Sequence, residues 1–416
     1  MLTLLVILVM ACLPAAARVR TGVEVLEAQN FAPLNGKRVG LITNHTGLTP
    51  DYRRAIDLLH KAPGVRLAAI FAPEHGISGQ RDDPYIESGK DEATGVPVYS
   101  LYSLQQPRPA RVTGGPLIGR KQEEQGHRFR PTAEMLRGVD ALVYDIQDVG
   151  ARFYTYITTL GYMVEEAARA KIPIYVLDRP NPVNGVAVEG PLLDEKYISF
   201  VGYMRLPIRH GMTVGELARF FNGEKKLGAE VHVIQVEGWR RSQFLDETGL
   251  PWVSPSPAMR SLVQAIVYPG VCLLESRQVS VGRGTDTPFQ IIGAPWINGL
   301  ELADSLNTRQ IPGARFLARR FRPSASLFKD QDCDGVEVLL TDRNALDSVA
   351  LGIELLSAVL KLHPGKFDLD GIMRLLGNDA TAARLKAGED PRQIVESWQA
   401  DLAAFRQLRS RYLLYK

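Results

Sequence analysis

A chain of 416 residues, 45% hydrophobic and 23% charged, has the composition of a globular enzyme of roughly two or three domains, which excludes a disordered chain and a multi-span membrane protein. The formal net charge of +3 is too small for a nucleic-acid binder, and no sustained basic stripe or aromatic-interleaved basic helix overturns that.

The amino terminus reads as a targeting segment. Residues 1–13 are uncharged and almost wholly apolar, too short to span a bilayer comfortably, and Ala15-Ala16-Ala17 supplies small residues before Arg18. A signal peptide over 1–17 and export to the periplasm or medium are therefore expected. Val9-Met10-Ala11-Cys12 also resembles a lipoprotein signal, in which Cys12 carries the lipid. Cleavage leaves Cys272 and Cys333, which make no disulfide framework in so long a chain and read as small buried apolar side chains.

Residues 38–43, 65–71, 141–144 and 174–177 are short, mainly apolar runs rich in β-branched or aromatic residues, the pattern of strands buried on both faces. Between them, 51–62 and 156–170 carry apolar residues at helical spacing: Ile56, Leu58 and Leu59 in the first, Leu160, Val164, Ala167 and Ala168 in the second. Alternating strands and helices predict an α/β fold with a mostly parallel sheet and right-handed crossovers. Residues 107–131 have no apolar period and read as a solvated loop insertion.

Three of these strands end in polar runs: Asn44-His45-Thr46, Pro73-Glu74-His75-Gly76 and Asp145-Ile146-Gln147-Asp148. Ligands bind at the carboxyl ends of strands in an open parallel sheet, so these runs predict one rim. A fourth strand runs into the turn-rich Asp178-Arg179-Pro180-Asn181-Pro182-Val183-Asn184-Gly185, extending it. Thr213 and Glu216 have capping-box spacing and start a helix with His210 just outside, and 231–236 reads as another strand.

From residue 255 onward the texture changes to a second unit, giving expected domains at 22–254 and 255–416. Here Gly282-Arg283-Gly284-Thr285 could present backbone amides and a guanidinium to an anion, 335–340 reads as a strand and 345–362 as a helix. Ile394, Trp398, Leu402, Phe405 and Leu408 form the core-facing stripe of a last helix.

No Gly-x-x-x-x-Gly-Lys-Ser/Thr loop, dinucleotide-binding fingerprint or Gly-x-Ser-x-Gly elbow occurs, so no nucleotide cofactor is expected. What remains is carboxylates beside amides, histidines, tyrosines and arginines, an inventory suited to reading sugar hydroxyls and acetamido groups while moving protons.

Together with Gly47, Val149 to Tyr156, Arg209-His210-Gly211-Met212-Thr213 and Gly282 to Thr285, these motifs resemble the NamZ-type bacterial exo-β-N-acetylmuramidases from about Gly22 to the carboxyl terminus. The resemblance implies a Rossmann-like first domain, a smaller second domain and a cleft between them. It also implies an exo-acting glycosidase that releases N-acetylmuramic acid from the non-reducing ends of peptidoglycan fragments, without a cofactor. On that pattern the acid/base falls on Glu74. Asp145 is the candidate second carboxylate, since glycoside hydrolysis usually needs two. Sugar contacts are expected at Asn44, His75, Gln147, Tyr154, Asn181 and His210. Arg152, Arg179 and Arg283 are the candidate cations for the lactyl carboxylate.

Two other classes compete. His45, His75 and His210 with Glu74 or Asp145 could serve a metal-dependent cell-wall amidase, although no His-x-x-x-His or His-Glu-x-x-His spacing is present. A non-catalytic envelope sugar-binding protein would use the same cleft for capture alone.

Overall fold

The structure, a computed structural model, describes residues 18–80, 86–102 and 129–416. The expected targeting segment with Cys12, and the 107–131 insertion up to residue 128, lie outside the described residues.

The first part of the chain runs α1 (Gly22–Ala28), β1 (Arg38–Thr43), α2 (Ala55–Lys61), β2 (Arg66–Ala72), β3 (Gly89–Lys90), β4 (Pro97–Ser100), β5 (Ala141–Asp145), α3 (Tyr156–Ala170), β6 (Ile174–Leu177), α4 (Val214–Glu224) and β7 (Val231–Ile234). These strands make one seven-stranded sheet in the order β3-β4-β2-β1-β5-β6-β7, parallel except where β3 meets β4. Side chains alternate along each strand, and the two faces feed two cores. Val39, Leu41, Ile70 and Val143 join α1 and α2 in one, while Ile42, Phe71, Leu142 and Tyr144 join α3 and α4 in the other. Both faces are therefore covered, which is why the strands read as continuous apolar runs.

Strand order places the site. From β1 the chain builds outward through β2 and β4 on one side and through β5, β6 and β7 on the other. The crevice outside β1 and β5 is the topological switch point, where ligands bind in such sheets. Thr43 Oγ1 closes its floor by donating to the Asp145 carbonyl at 2.8 Å.

The second part contains α5 (Leu262–Val271), β8 (Ile291–Ala294), α6 (Gly299–Thr308), β9 (Ala314–Phe321), β10 (Cys333–Leu340), α7 (Ser348–Leu362), α8 (Met373–Leu376), α9 (Asp379–Lys386), α10 (Pro391–Glu396) and α11 (Gln399–Arg409). Its antiparallel sheet has the order β8-β10-β9. Helices α5 and α7 cross where Gly270 meets Gly352, and a Cβ on Gly270 would lie 1.9 Å from the Ser348 carbonyl oxygen.

Three helical stretches differ from the sequence expectation, while the strand expected at 231–236 ends at Ile234 and that expected at 335–340 begins at Cys333. Helix α2 begins at Ala55 rather than near 51 because Tyr52 takes a left-handed conformation (φ 64°) in a turn closed by Thr49 and Arg53. Helix α7 begins at Ser348 rather than 345 because Asp347 caps it, accepting from Ala350 N at 2.8 Å. The last apolar stripe is divided between α10 and α11, with Trp398 between them donating to Thr381 Oγ1 at 3.0 Å. Cys272 and Cys333 are buried and unpaired.

Buried polar contacts join the two parts. Glu189 ion-pairs with Arg209 and accepts from Ser348 N at the start of α7. Arg409 of α11 donates to the carbonyls of Gly185, Val186, His210 and Gly211. Tyr415 donates to Asp178 at the end of β6, at 2.5 Å.

Candidate active site

The run after β1 is a built turn. Asn44 Oδ1 accepts from Thr46 N at 2.9 Å and Oγ1 at 2.6 Å, while Thr46 Oγ1 accepts from Gln147 N at 2.9 Å. The ends of β1 and β5 are thereby tied together. This leaves Asn44 Nδ2 buried beside the Tyr156 hydroxyl, with no well-formed partner. His45 Nε2 lies 2.7 Å from the Ser254 carbonyl, which assigns the proton to Nε2 and leaves Nδ1 a buried acceptor with nothing to accept. Burial lowers the pKa of His45. Its ring lies against Gly79, where a Cβ would come within 1.8 Å.

After β2, His75 and Gly76 both take positive φ (67° and 72°), a sharp turn that presents Glu74 at the strand end. Glu74 is half-buried and accepts a hydrogen bond from Thr155 Oγ1. His75 sits close enough to His45 to lower its pKa further.

At the end of β5 and just beyond it stand two aspartates with opposite surroundings. Asp145 is fully buried and meets Arg179 through both oxygens, at 2.6 and 3.1 Å, and Arg179 also donates to the Leu48 carbonyl. Among the described residues Asp148 meets no cation: Oδ2 accepts from Gly150 N at 2.6 Å, and Oδ1 is buried without a well-formed partner. Burial pushes this carboxyl up to about 7, against the pull of the Gly150 and Val149 amides. Tyr154, whose hydroxyl also lacks a well-formed partner, lies within reach of the charges of Asp148, Glu74 and Arg283.

The second domain supplies the facing wall. Tyr268 meets Tyr154 edge-on, with centroids 5.9 Å apart, and Arg283 stands over Phe289 at 5.0 Å. Arg283 is paired with Glu275 at 2.6 Å but remains partly exposed. Its loop turns at Gly282 and Gly284, both at positive φ.

Asn44, Glu74, His75, Tyr154 and Arg283 are thus brought to one cluster, with His45 and Asp148 beside them. Gln147 and Arg179 border an adjoining small cavity with Thr46 and Trp252. Gln147 spends its amide on the carbonyls of Asp148 and Pro180. Asp145 departs from the role expected of a second carboxylate because Arg179 occupies both of its oxygens.

Three expected contacts are turned away from the cleft. Arg152 is fully buried and donates to the carbonyls of Pro191, Leu206, Leu375 and Leu376, so its guanidinium clamps the two domains together. Asn181 is consumed by Met212 O and Val183 N. His210 is fully buried, accepts from Met212 N, and is driven down to about 3 by burial beside Arg409 and Arg209. The histidine set invoked for a metal site therefore does not converge. Among the described residues, no group of three His, Cys, Asp or Glu is placed to hold a metal ion.

The site also contains groups the sequence reading did not single out. Asp148 and Thr155 lay inside the quoted motif and were legible as neighbours of the rim. Ser254, Tyr268 and Glu275 carried no local signal.

Comparison with known proteins matches this architecture over nearly the whole chain. The family model "Exo-beta-N-acetylmuramidase NamZ, N-terminal" matches residues 39–114 and 124–263, and its C-terminal counterpart matches 266–415. The chain is 40% identical over 403 residues to the peptidoglycan beta-N-acetylmuramidase NamZ of Bacillus subtilis (strain 168), covering 96% of this chain and 92% of that protein. Two crystal structures of DUF1343 family proteins from Bacteroides fragilis NCTC 9343 are similar. The first has TM-score 0.84 at 36% identity, covering 97% of this chain and 100% of that one. The second has TM-score 0.74 at 30% identity, covering 96% and 99%.

Proposed function

Because the chain belongs to the NamZ family of exo-β-N-acetylmuramidases, matched in order through both family domains, we propose that it cleaves N-acetylmuramic acid from the non-reducing ends of peptidoglycan fragments. It is a glycosidase of cell-wall turnover. The observation that carries the assignment of roles is Glu74, half-buried just beyond β2, close to Tyr154 and in a cluster where polar atoms of Asn44, Asp148 and Tyr154 are buried without well-formed partners. Buried polar groups are ordinarily satisfied, so such a cluster is shaped for a ligand rich in hydroxyl and amide groups.

Glu74 is the proposed acid, with Thr155 orienting its carboxyl toward the glycosidic oxygen. Arg283 is the proposed partner of the lactyl carboxylate. Of the three candidate arginines, Arg152 is spent on carbonyls and Arg179 on Asp145, whereas Arg283 stays partly exposed on the facing wall. The apolar segment 1–13 followed by Ala15-Ala16-Ala17 supports export to the compartment where the polymer lies.

Release from paired chromogenic glycosides tests this reading. The protein should turn over the N-acetylmuramic acid glycoside and leave the N-acetylglucosamine glycoside untouched, and Glu74→Gln should lose at least ~10²-fold in rate. Equal rates on both sugars would reject recognition of the lactyl carboxylate, and a near-parental Glu74→Gln would reject the acid.

A further inference from the structure

We propose that Asp148 is the second carboxyl of the hydrolysis, the base that takes a proton from the water adding to the sugar. The proposal rests on the reading of the site as a glycosidase with Glu74 as acid. Gly150, at φ 84°, requires an acceptor for its N–H, and Asp148 Oδ2 supplies one at 2.6 Å. An asparagine would close the same turn with no charge to bury. The negative charge is therefore more than the turn needs, and Oδ1 has no well-formed partner among the described residues. Leaving them buried and unpaired is costly, a cost that persists where a ligand or a reaction uses the group.

Among the described residues, the other carboxyls around the crevice are held by partners or exposed. Both oxygens of Asp145 meet Arg179. Asp178 accepts from the Arg179 and Gly215 amides with Oδ1 and from Thr213 and Tyr415 with Oδ2. Glu275 is held by Arg283 and Cys272, and Asp286 is exposed on the Arg283 loop. Among the described residues of this cluster, Asp148 is the buried carboxyl with an uncommitted oxygen. The Tyr154 hydroxyl stands within the fields of both Asp148 and Glu74, so both carboxyls lie near that one group. A carboxyl raised to about 7 by burial is also a stronger base than an exposed one.

In the reaction, the C1–O bond to the leaving group breaks as Glu74 gives its proton to that oxygen. The water oxygen bonds to C1 while Asp148 Oδ1 takes the water proton. Glycoside and water become two hydroxyl products, and the two carboxyls end with exchanged protonation, restored through solvent. Water enters on the face opposite the leaving group, so a β-glycoside yields the α-anomer first.

The test compares the parent with Asp148→Asn and Asp148→Ala on a chromogenic N-acetylmuramic acid glycoside. Asp148→Asn keeps the turn, should melt no lower than the parent, and should lose ~10²–10⁴-fold in kcat. The acid limb of the parental pH profile should vanish with it. Azide should restore turnover to Asp148→Ala and yield the α-glycosyl azide, which a merely structural residue would not do. NMR of the parental reaction should show the α-anomer first. An Asp148→Asn rate within about tenfold of the parent, no azide product, or first release of the β-anomer would overturn the base assignment while leaving the glycosidase reading intact. A parent that does not turn over the glycoside would overturn that reading and this proposal with it.

Discussion

Asp145 ends β5 and Asp148 follows in the loop beyond it, yet among the described residues only the first meets a cation. Its guanidinium partner is itself nearly buried, so removing the carboxyl would strand a charge. Asp145→Ala should therefore destabilise the protein by about 3–5 kcal/mol, read as a lowered urea midpoint at an unchanged m value. A loss below about 1 kcal/mol would mean that Arg179 finds another partner. Placement of residues at strand ends was legible, because a strand followed by polar residues must deliver them to the sheet edge. The direction of each side chain was not. Arg152, Asn181 and His210 lie in family motifs just as Glu74 does, but nearby backbone carbonyls and amides capture them before a substrate could.

At the level of elements, the start of α4 combines a local signal with a distant one. Thr213 Oγ1 accepts from Glu216 N at 3.2 Å, and Glu216 accepts from Thr213 N at 3.0 Å, the capping box expected from spacing. The same hydroxyl donates to Asp178 across the sheet at 2.7 Å, a contact no spacing reveals. Thr213→Ala should cost about 1–2 kcal/mol in thermal or chemical denaturation, and Thr213→Ser should recover most of it. A neutral alanine variant would show that water replaces both bonds. The late start of α2 and the break before α11 escaped the sequence because apolar spacing of three or four continues through a turn.

For the whole molecule, Asp178 links the first sheet to the carboxyl terminus through Tyr415 and is raised by burial to about 6. The native protein keeps this proton where the unfolded chain, at a carboxyl pKa of about 3.9, has released it. Native stability from this group thus falls as pH rises from about 4 to 6 and is level above that. His210, held neutral down to about 3, acts in the opposite sense below about 6.5. It is common to parent and Asp178→Asn, so their difference isolates Asp178. The parent should lose up to about 3 kcal/mol relative to Asp178→Asn across that window, measured by denaturation at each pH. A flat difference would show that the carboxyl stays ionised. By itself the sequence determined the α/β class, the central strands with the helices between them, the strand-end rim and the family, because these follow from periodicity and short motifs along the chain. Only the tertiary structure decided that β1 is the switch point, that Arg283 comes near Tyr154 from the second domain, and that Arg179 neutralises Asp145 while Asp148 meets no cation among the described residues. Those outcomes depend on which buried charges meet across the fold, and desolvation makes each such meeting decisive.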